Sequence, residues 1–335
     1  MNEELRKFMS EVKIGAKQSH KNMTLYCLLV SDEAGVDFLT LDDALKSGAL
    51  SVTEVNEGGT VPELKVINQS GEKVLLLDGE ELVGAKQNRV LNVTILVAPK
   101  SETVIPVSCV EQGRWSYRSR RFDSESRAMS AKLRQQKEQG VRRNLQAAGL
   151  FASFQGEVWD GIEEKFHRMG AHSPTMAMAD IYEAHQDSTQ DYLKAFHPVE
   201  NQIGMAVFID GELAGIEILS KFDAFRKTHG KLIQSYVIDA LETVGERTTG
   251  GRSSSKDKVT KLLEAVGEGR VEKRKSVALG DDVRVEADQV VGAGLEFDGL
   301  MLQMTIFLND ERQKDEGPIR NLARASRRRT TLRRP

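Results

Sequence analysis

Two predicted strands carry the residues of this chain that could bind a ligand. In residues 89–97 the odd positions begin with Arg89 and are otherwise apolar, and in residues 103–111 the odd positions end with Glu111. Because side chains alternate between the two faces of a strand, the odd positions of each segment share one face. An antiparallel pair that joins the apolar faces, with its loop at 98–102, would place Arg89 directly opposite Glu111.

This guanidinium and carboxylate allow two interpretations, and the sequence leaves both open. As a structural ion pair across two strands, Arg89 and Glu111 would contribute roughly 0.2–1 kcal/mol to closing the core. As a ligand site, Arg89 or Arg114 would hold an anion through paired hydrogen bonds, and Trp115 would offer a stacking face. The polar neighbours complete the set of ligand-binding candidates, which is Glu80, Gln87, Asn88, Arg89, Glu111, Arg114 and Trp115.

The elements that must position these residues mix strands with helices. Thr40 can cap a compact helix that Gly48 ends, and a long amphipathic helix is predicted over 221–244. The segment from residue 63 to 111 has the pattern of strands, and Asp78-Gly79 within it is a strong hairpin signal. Asp210-Gly211 and Asp298-Gly299 give the same signal, and residues 246–258 are predicted to form a loop. The sequence therefore predicts an α+β fold, in which antiparallel sheets pack with helices.

A similarity between VLLLDGEELVG and AVFIDGELAG bears on the domain organisation. It suggests two duplicated β-rich halves, although Asp-Gly hairpins resemble one another in any protein. We expect a β-rich N-terminal half over 1–125, and a helical segment with a C-terminal β/α half over 126–310. The two could form one continuous domain, and a basic disordered tail would follow over 311–335.

Charge is distributed unevenly along the chain, although its net value is only −3. Residues 114–143 hold ten Lys and Arg against three acidic residues, and residues 318–335 hold seven Arg and no acid. Such segments are compatible with nucleic-acid or protein partners, and the first of them interleaves arginines with Trp115, Tyr117 and Phe122. They are also compatible with a solvated charged face and a flexible tail, because the acidic body would repel phosphate.

Other kinds of site find little support in the sequence. Cys27 and Cys109 lie in apolar stretches, and the predicted pairing of Cys109 with Leu91 indicates a core thiol. His167 and His172 are spaced too widely to share one helical face, so no metal site is expected. No stretch has the length or hydropathy of a membrane span or signal peptide, which favours a cytoplasmic protein. Catalytic residues and cofactors stay unassigned.

Three stretches, EELVGAKQNRVLN, IPVSCVEQGRW and QSYVIDALE, resemble a bacterial family, the ADP-ribosylglycohydrolase and rhodanese-phosphatase-associated protein domain. The resemblance covers roughly residues 10 to 308 and implies a binding or accessory role around NAD-derived nucleotides. The resemblance includes all the ligand-binding candidates named above. It also adds Ser235, Tyr236 and Asp239 on the long helix.

Three functional hypotheses follow. The first is a small-ligand binding or accessory domain in NAD or ADP-ribose metabolism, with arginines holding an anionic nucleotide. The second is a nucleic-acid or protein interaction module that uses the basic segments 114–143 and 318–335. The third is a hydrolase acting on an ADP-ribose-type bond, for which Glu80 and Glu111 are the available carboxylate pair.

Overall fold

The computed structural model describes residues 3–33, 35–244 and 254–309. The helices of this part of the chain are α1 Glu3–Glu11, α2 Leu41–Lys46, α3 Ala131–Ala148, α4 Gln155–Met169, α5 Met178–Ala184, α6 Gln186–Leu193, α7 Phe222–Thr243 and α8 Lys256–Glu268. The strands are β1 Lys13–His20, β2 Met23–Leu29, β3 Leu39–Thr40, β4 Leu50–Glu54, β5 Glu63–Asn68, β6 Val74–Leu76, β7 Glu81–Gly84, β8 Arg89–Leu91, β9 Ile95–Val97, β10 Ser101–Cys109, β11 Phe122–Asp123, β12 Gln202–Ile209, β13 Glu212–Leu219, β14 Arg270–Lys275, β15 Asp281–Ala287, β16 Val290–Phe297 and β17 Leu300–Leu308. The predicted tail 311–335 lies outside the described residues, as does most of the predicted loop 246–258.

An eight-stranded antiparallel sheet forms the larger layer, in the order β1-β2-β12-β13-β17-β16-β15-β14. Strand alternation sends Leu25 and Cys27 to one face, where they pack in a buried cluster with Tyr236 of α7. Tyr26 and Leu28 point to the other face, where they pack in a second cluster to which α1 and α8 also contribute. The sheet is therefore covered by helices on both faces.

A closed six-stranded barrel, in the order β10-β5-β4-β11-β7-β8, forms the second layer. Most of its interior is apolar and includes Val52, Leu64, Leu91 and Val107, all of them buried. A small sheet of β3, β6 and β9 lies beside it, with β3 parallel to β6. These antiparallel sheets and their helices confirm the predicted α+β class. None of the described helices is long and apolar enough to cross a membrane.

Helix α3 joins the barrel to the sheet through buried charges. Arg134 is 1% exposed and donates to the carboxylate of Glu217 on β13, at 2.5 Å. Three residues along, Lys137 forms an ion pair with Asp78 beside β6. Because residues three apart lie on one face of a helix, both cations reach their partners from the same face of α3.

The barrel lies in the chain between two strands of the larger sheet. Strands β1 and β2 precede it, and β12 pairs with β2 only after the barrel and four helices have been completed. The eight-stranded sheet takes strands from both sides of residue 125. The division of the chain into two halves near that residue stays a prediction.

Local signals predicted several elements correctly. Thr40 accepts a hydrogen bond from the Asp43 amide at the start of α2, and Gly48 follows the helix with a φ of +72°. Asp210-Gly211 and Asp298-Gly299 are two-residue hairpin turns with positive φ at each position. The sequence did not predict α8, which begins inside the segment assigned to a loop.

The Asp78-Gly79 hairpin and the register near Arg89 were predicted wrongly. Strand β6 before Asp78-Gly79 pairs with β3 and β9, whereas β7 after it belongs to the barrel. Strand β10 pairs with β8 two residues out of the expected register, so that Arg89 faces Cys109.

The physical reason for the register error is that residues 89–97 do not form one continuous strand. β8 ends at Leu91, the chain turns, and β9 pairs with β6 instead of β10. Asn92 lies at this turn and is only 3% exposed; it donates to Phe151 O at 3.2 Å and accepts from Ser108 Oγ at 2.6 Å. A shift of two residues keeps the odd positions on the same face, so the apolar pattern did not exclude it.

The buried pair of Arg134 and Glu217 should contribute far more to stability than an exposed pair on the same helix. We expect Glu217→Gln to lower the free energy of unfolding by about 3–5 kcal/mol, because it leaves a guanidinium buried without a counter-charge. Glu157→Gln, which breaks the half-exposed pair with Arg143, should cost at most about 1 kcal/mol. Urea denaturation followed by circular dichroism measures both, and equal costs would contradict this account of α3.

Candidate functional site

One end of the barrel interior is polar. On β4, Leu50 and Val52 point inward and Glu54 continues the same face, while on β8 Arg89 lies on the face of Leu91. Cys109, opposite Arg89, brings β10 to the same place. Glu54, Arg89 and Cys109 are all buried, and together with the ring of Trp115 they form what we call the barrel end.

The guanidinium of Arg89 is buried with part of its hydrogen-bonding capacity unused. Its Nη1 donates to the backbone oxygen of Gln87 at 3.0 Å, to the Gln87 side chain at 2.9 Å and to Asn88 O at 3.4 Å. Nε and Nη2 have no hydrogen-bond partner among the described residues, and no carboxylate of those residues lies within 4.0 Å. Burial lowers the pKa of Arg89, although a guanidinium remains charged in proteins.

Trp115 covers this guanidinium from the solvent side. Its ring centroid is 5.5 Å from Arg89 Cζ and 5.6 Å from Lys86 Nζ, and the side chain is 47% exposed. Glu54 has one carboxylate oxygen without a donor in the described part of the chain. Gly59 has a φ of +75°, which favours glycine, and a Cβ there would stand close to side-chain atoms of Lys86 and Trp115, at 3.1 and 3.3 Å.

Arg114 holds the polypeptide that carries Trp115. Its Nε and Nη2 donate to the two oxygens of Glu111 at 2.8 and 2.6 Å, and its Nη1 donates to Ala85 O and Ser116 O. Nη2 also donates to Asn88 Oδ1 at 3.1 Å. All five N–H groups of this guanidinium are thus engaged. Arg114 positions the loop and has no donor left over.

The carboxyl groups and thiol near the barrel end are held in defined states. Burial would raise the pKa of Glu111, but the hydrogen bonds from Arg114 outweigh it and the pKa is lowered, so the group is a carboxylate at neutral pH. Burial raises the pKa of the Cys109 thiol to about 11 despite the nearby Arg89. Cys109 is therefore a thiol, as its predicted core position implied, and is not an activated nucleophile.

The structure brings most of the predicted site residues together but places Glu80 elsewhere. Gln87 Nε2 donates to Glu111 O, the Asn88 amide donates to Glu111 Oε2 at 3.2 Å, and Trp115 lies over Arg89. Glu80 instead accepts from Lys231 and from the Leu77 amide, each at 2.7 Å. The predicted contact of Arg89 with Glu111 is replaced by the pair of Arg114 with Glu111.

The three residues added from the long helix lie in the charged layer around α3. Ser235 accepts from Arg134 at 3.1 Å, and Tyr236 donates to Glu217 at 2.8 Å. Asp239 pairs with Lys165 at 2.7 Å. Their contacts link helices and strands to one another.

The basic segment 114–143 divides into two parts. Its second half contributes Arg134 and Lys137 to buried ion pairs. Its first half leaves Arg118, Arg120 and Arg121 exposed, close in sequence to Trp115 and to the exposed Tyr117. The predicted interaction segment 318–335 lies outside the described residues.

Sequence reasoning missed Glu54 and Glu81. The alternation of Leu50, Val52 and Glu54 was a usable signal, because it puts all three on one face. Glu81 is fully buried, accepts from Asn88 Nδ2 at 3.4 Å and lies 3.7 Å from Arg127 Nε. Burial raises the pKa of Glu81 to about 7, with Arg127 opposing the shift.

Comparison with known proteins gives one result. A family model described as the ARG and Rhodanese-Phosphatase-superfamily-associated Protein domain, ARPP-1, matches residues 11–307. The match spans both the barrel and the eight-stranded sheet. The corresponding searches of curated proteins and of solved structures return no match.

The buried carboxyl of Glu81 should make stability fall as the pH rises. Above pH 4.5 the unfolded chain loses this proton, whereas the folded protein keeps it until about pH 7, so ionisation favours unfolding. We expect the free energy of unfolding of Glu81→Gln, relative to wild type, to increase by about 2–3 kcal/mol between pH 5 and pH 8. Urea titrations at several pH values measure this difference.

Glu242→Gln is the matched control for that titration. Burial would raise the pKa of Glu242, but Lys165 outweighs it and the pKa is lowered, so the carboxyl is ionised in both states over the same pH range. The stability difference between Glu242→Gln and wild type should then stay constant from pH 5 to pH 8. A flat difference for Glu81→Gln as well would show that Glu81 is not held protonated.

Proposed function

The chain belongs to the ARG and Rhodanese-Phosphatase-superfamily-associated Protein domain family, and we propose that it is an accessory domain that binds a small anionic ligand at the barrel end. The family description names an association with ARG and with the rhodanese-phosphatase superfamily, which supports an accessory role. The support for ligand binding comes from the residues of the barrel end themselves.

The observation that carries the proposal is the free edge of Arg89. Nε and Nη2, which have no partner in the described part of the chain, form the side of a guanidinium that donates two parallel hydrogen bonds to a carboxylate or phosphate. A buried donor without a partner costs about 1–3 kcal/mol, and a buried charge without a counter-charge costs more. An anion on this edge would remove both costs.

Further features suggest the rest of the ligand. Trp115 and Tyr117 are exposed aromatic side chains at the same place, and Lys86 Nζ lies 5.6 and 5.0 Å from their ring centroids. The unpartnered oxygen of Glu54 can accept from a hydroxyl group. A ligand with an anion, a hydroxyl and a planar ring would use all of these groups, and a nucleotide such as ADP-ribose or another NAD-derived molecule has all three.

Access to Arg89 requires Trp115 to move. The guanidinium is fully buried beneath the half-exposed ring. The loop on either side of Trp115 is fixed through Arg114, so the motion needed is a rotation of the side chain. In its new position the ring would stack on the planar part of the ligand.

A second candidate function is binding of single-stranded nucleic acid by the loop that carries Trp115. Arg118, Arg120 and Arg121 are exposed, and their side chains make no hydrogen bond or ion pair with the described residues. Cations interleaved with aromatic rings suit sequence-tolerant binding. Affinity would then fall steeply with salt concentration. The hydrolase hypothesis has weaker support, because Glu80 and Glu111 belong to different clusters.

Replacing Arg89 should separate stability from binding. We expect Arg89→Met to leave the ligand-free protein as stable as wild type or more so, by up to about 4 kcal/mol, because it removes an unpaired buried charge. The same variant should lose the stabilisation of about 2.7 kcal/mol that an anion gives at 100 times its dissociation constant. Thermal shift with phosphate, NAD, ADP-ribose and oligonucleotides measures both effects.

Arg143→Met is the control, since Arg143 is an exposed arginine on α3, and it should respond to ligand as wild type does. If Arg89→Met kept the ligand-induced shift, the barrel end would not be the site. A large loss of stability in Arg89→Met without ligand would make Arg89 a structural residue.

Trp115 should distinguish the parts of the ligand. We expect Trp115→Ala to keep its response to phosphate, because the guanidinium becomes easier to reach. It should bind ring-bearing ligands about 5–150-fold more weakly, as expected for a lost stacking contact of roughly 1–3 kcal/mol. Titration calorimetry of phosphate and of ADP-ribose gives, for each ligand, the ratio of the dissociation constant of the variant to that of wild type. Equal ratios for the two ligands would count against stacking.

A further inference from the structure

A second cleft, of about 430 Å³, opens between the segment before α3 and helices α5, α6 and α7. Arg127 lies in its wall beside Tyr182, and the amides of Gln186, Gln190 and Gln234 line other parts of it. This volume is at the small end of the range for ligand pockets. We call it the Arg127 cleft, and none of the groups of the barrel end lines it.

Arg127 is held in place with little direct hydrogen bonding. Its side chain is 11% exposed, its Nη1 donates to Ala179 O at 3.2 Å, and its Nε has no hydrogen-bond partner among the described residues. Carboxylate oxygens of Glu81, Glu125 and Glu183 lie 3.7, 3.8 and 3.9 Å from its nitrogens. These distances allow attraction but are too long for hydrogen bonds.

The charges around the cleft are arranged as a dipole. The guanidinium is nearly buried, whereas the side chains of Glu125 and Glu183 are 55% and 68% exposed at the opening. The remaining lining is neutral and polar. It includes Thr189, which is 5% exposed and whose hydroxyl has no partner in the part of the chain described.

This pattern selects the charge of the ligand. A phosphate or other anion without a cation would face the two carboxylates at the opening as well as Arg127. A simple cation would satisfy the carboxylates but meet the guanidinium. A zwitterion satisfies both signs. Because Glu125 and Glu183 each lie within 4 Å of Arg127, the ammonium group and the carboxylate of the ligand must also be close together, as they are on a single carbon.

We propose that the Arg127 cleft binds a free α-amino acid with a polar side chain. Its carboxylate meets Arg127, its ammonium group meets Glu125 and Glu183, and its side chain contacts the glutamine amides and Thr189. This site is separate from the barrel end, and its ligand is of a different class. The domain therefore has two binding sites, one for an anion and one for a zwitterion.

The test is titration calorimetry of the full chain with the free α-amino acids that have polar side chains. Two derivatives of whichever amino acid binds best isolate its charges: the N-acetyl form lacks the ammonium group, and the α-amide lacks the carboxylate. We expect each derivative to bind at least tenfold more weakly than the parent. Absence of binding by all the amino acids, or equal binding of a derivative, overturns the proposal.

Variants locate the binding within the cleft. Arg127→Met should abolish it, and the double variant Glu125→Gln with Glu183→Gln should weaken it at least tenfold. The double variant changes only exposed carboxylates into amides of the same shape, so it keeps the test valid if Arg127→Met fails to fold. Wild-type affinity in the double variant overturns the proposal.

Arg89→Met is the matched control, because it alters the other site. Amino-acid binding should be unchanged in that variant. The two proposals can thus be tested independently. Loss of anion binding alone in Arg89→Met identifies the barrel end as the anion site, and loss of amino-acid binding alone in Arg127→Met identifies the Arg127 cleft as the amino-acid site.

Discussion

Helix α3 places charged side chains in the layer where the barrel meets the eight-stranded sheet, and the arrangement of the whole chain depends on how those charges are paired. Arg134 reaches Glu217 on the sheet, and Lys137 reaches Asp78 beside the small sheet. Glu138 accepts from Arg284 of β15 at 3.1 Å. Each ion has a partner of opposite charge, because burial without one would cost several kcal/mol. The partners therefore fix the orientation of the barrel on the sheet.

Against this background the unpaired state of Arg89 is informative. Arg134 and Arg284 are as deeply buried as Arg89, and carboxylates raise the pKa of both. For Arg89 burial prevails and the pKa is lowered. A protein that pairs Arg134 and Arg284 with carboxylates, yet leaves two nitrogens of Arg89 without a partner in the described part of the chain, has the arrangement expected where a ligand completes the charge balance.

Whether the sequence could predict an element depends on how far apart in the chain its interacting residues lie. The capping of α2 by Thr40 and the turns at Asp210-Gly211 and Asp298-Gly299 depend on neighbouring residues, and the sequence predicted them. Asp78-Gly79 has the same local signal, but its flanking strands join different sheets. That outcome depends on partners far along the chain.

The candidate site shows the same division. Gln87, Asn88, Arg89, Glu111, Arg114 and Trp115 lie close together, since alternation and proximity in sequence suffice to bring them together, and their role in binding a ligand stays a prediction. Which arginine pairs with Glu111 could not be predicted, because it depends on a two-residue shift in register. The chain also turns at Asn92, whose buried side chain bonds to Ser108 and Phe151, and hydrogen bonds of this kind leave no periodic trace in a sequence.

The position of the barrel between β2 and β12 has a consequence for synthesis on the ribosome. The hairpin of β1 and β2 emerges first, but the strand that covers the free edge of β2 begins only at Gln202. Until then the nascent chain carries an apolar strand with unpaired backbone groups, while the barrel can close as soon as its own strands are available. A molecular chaperone that shields this hairpin would act at the stage when the growing polypeptide is most prone to aggregate.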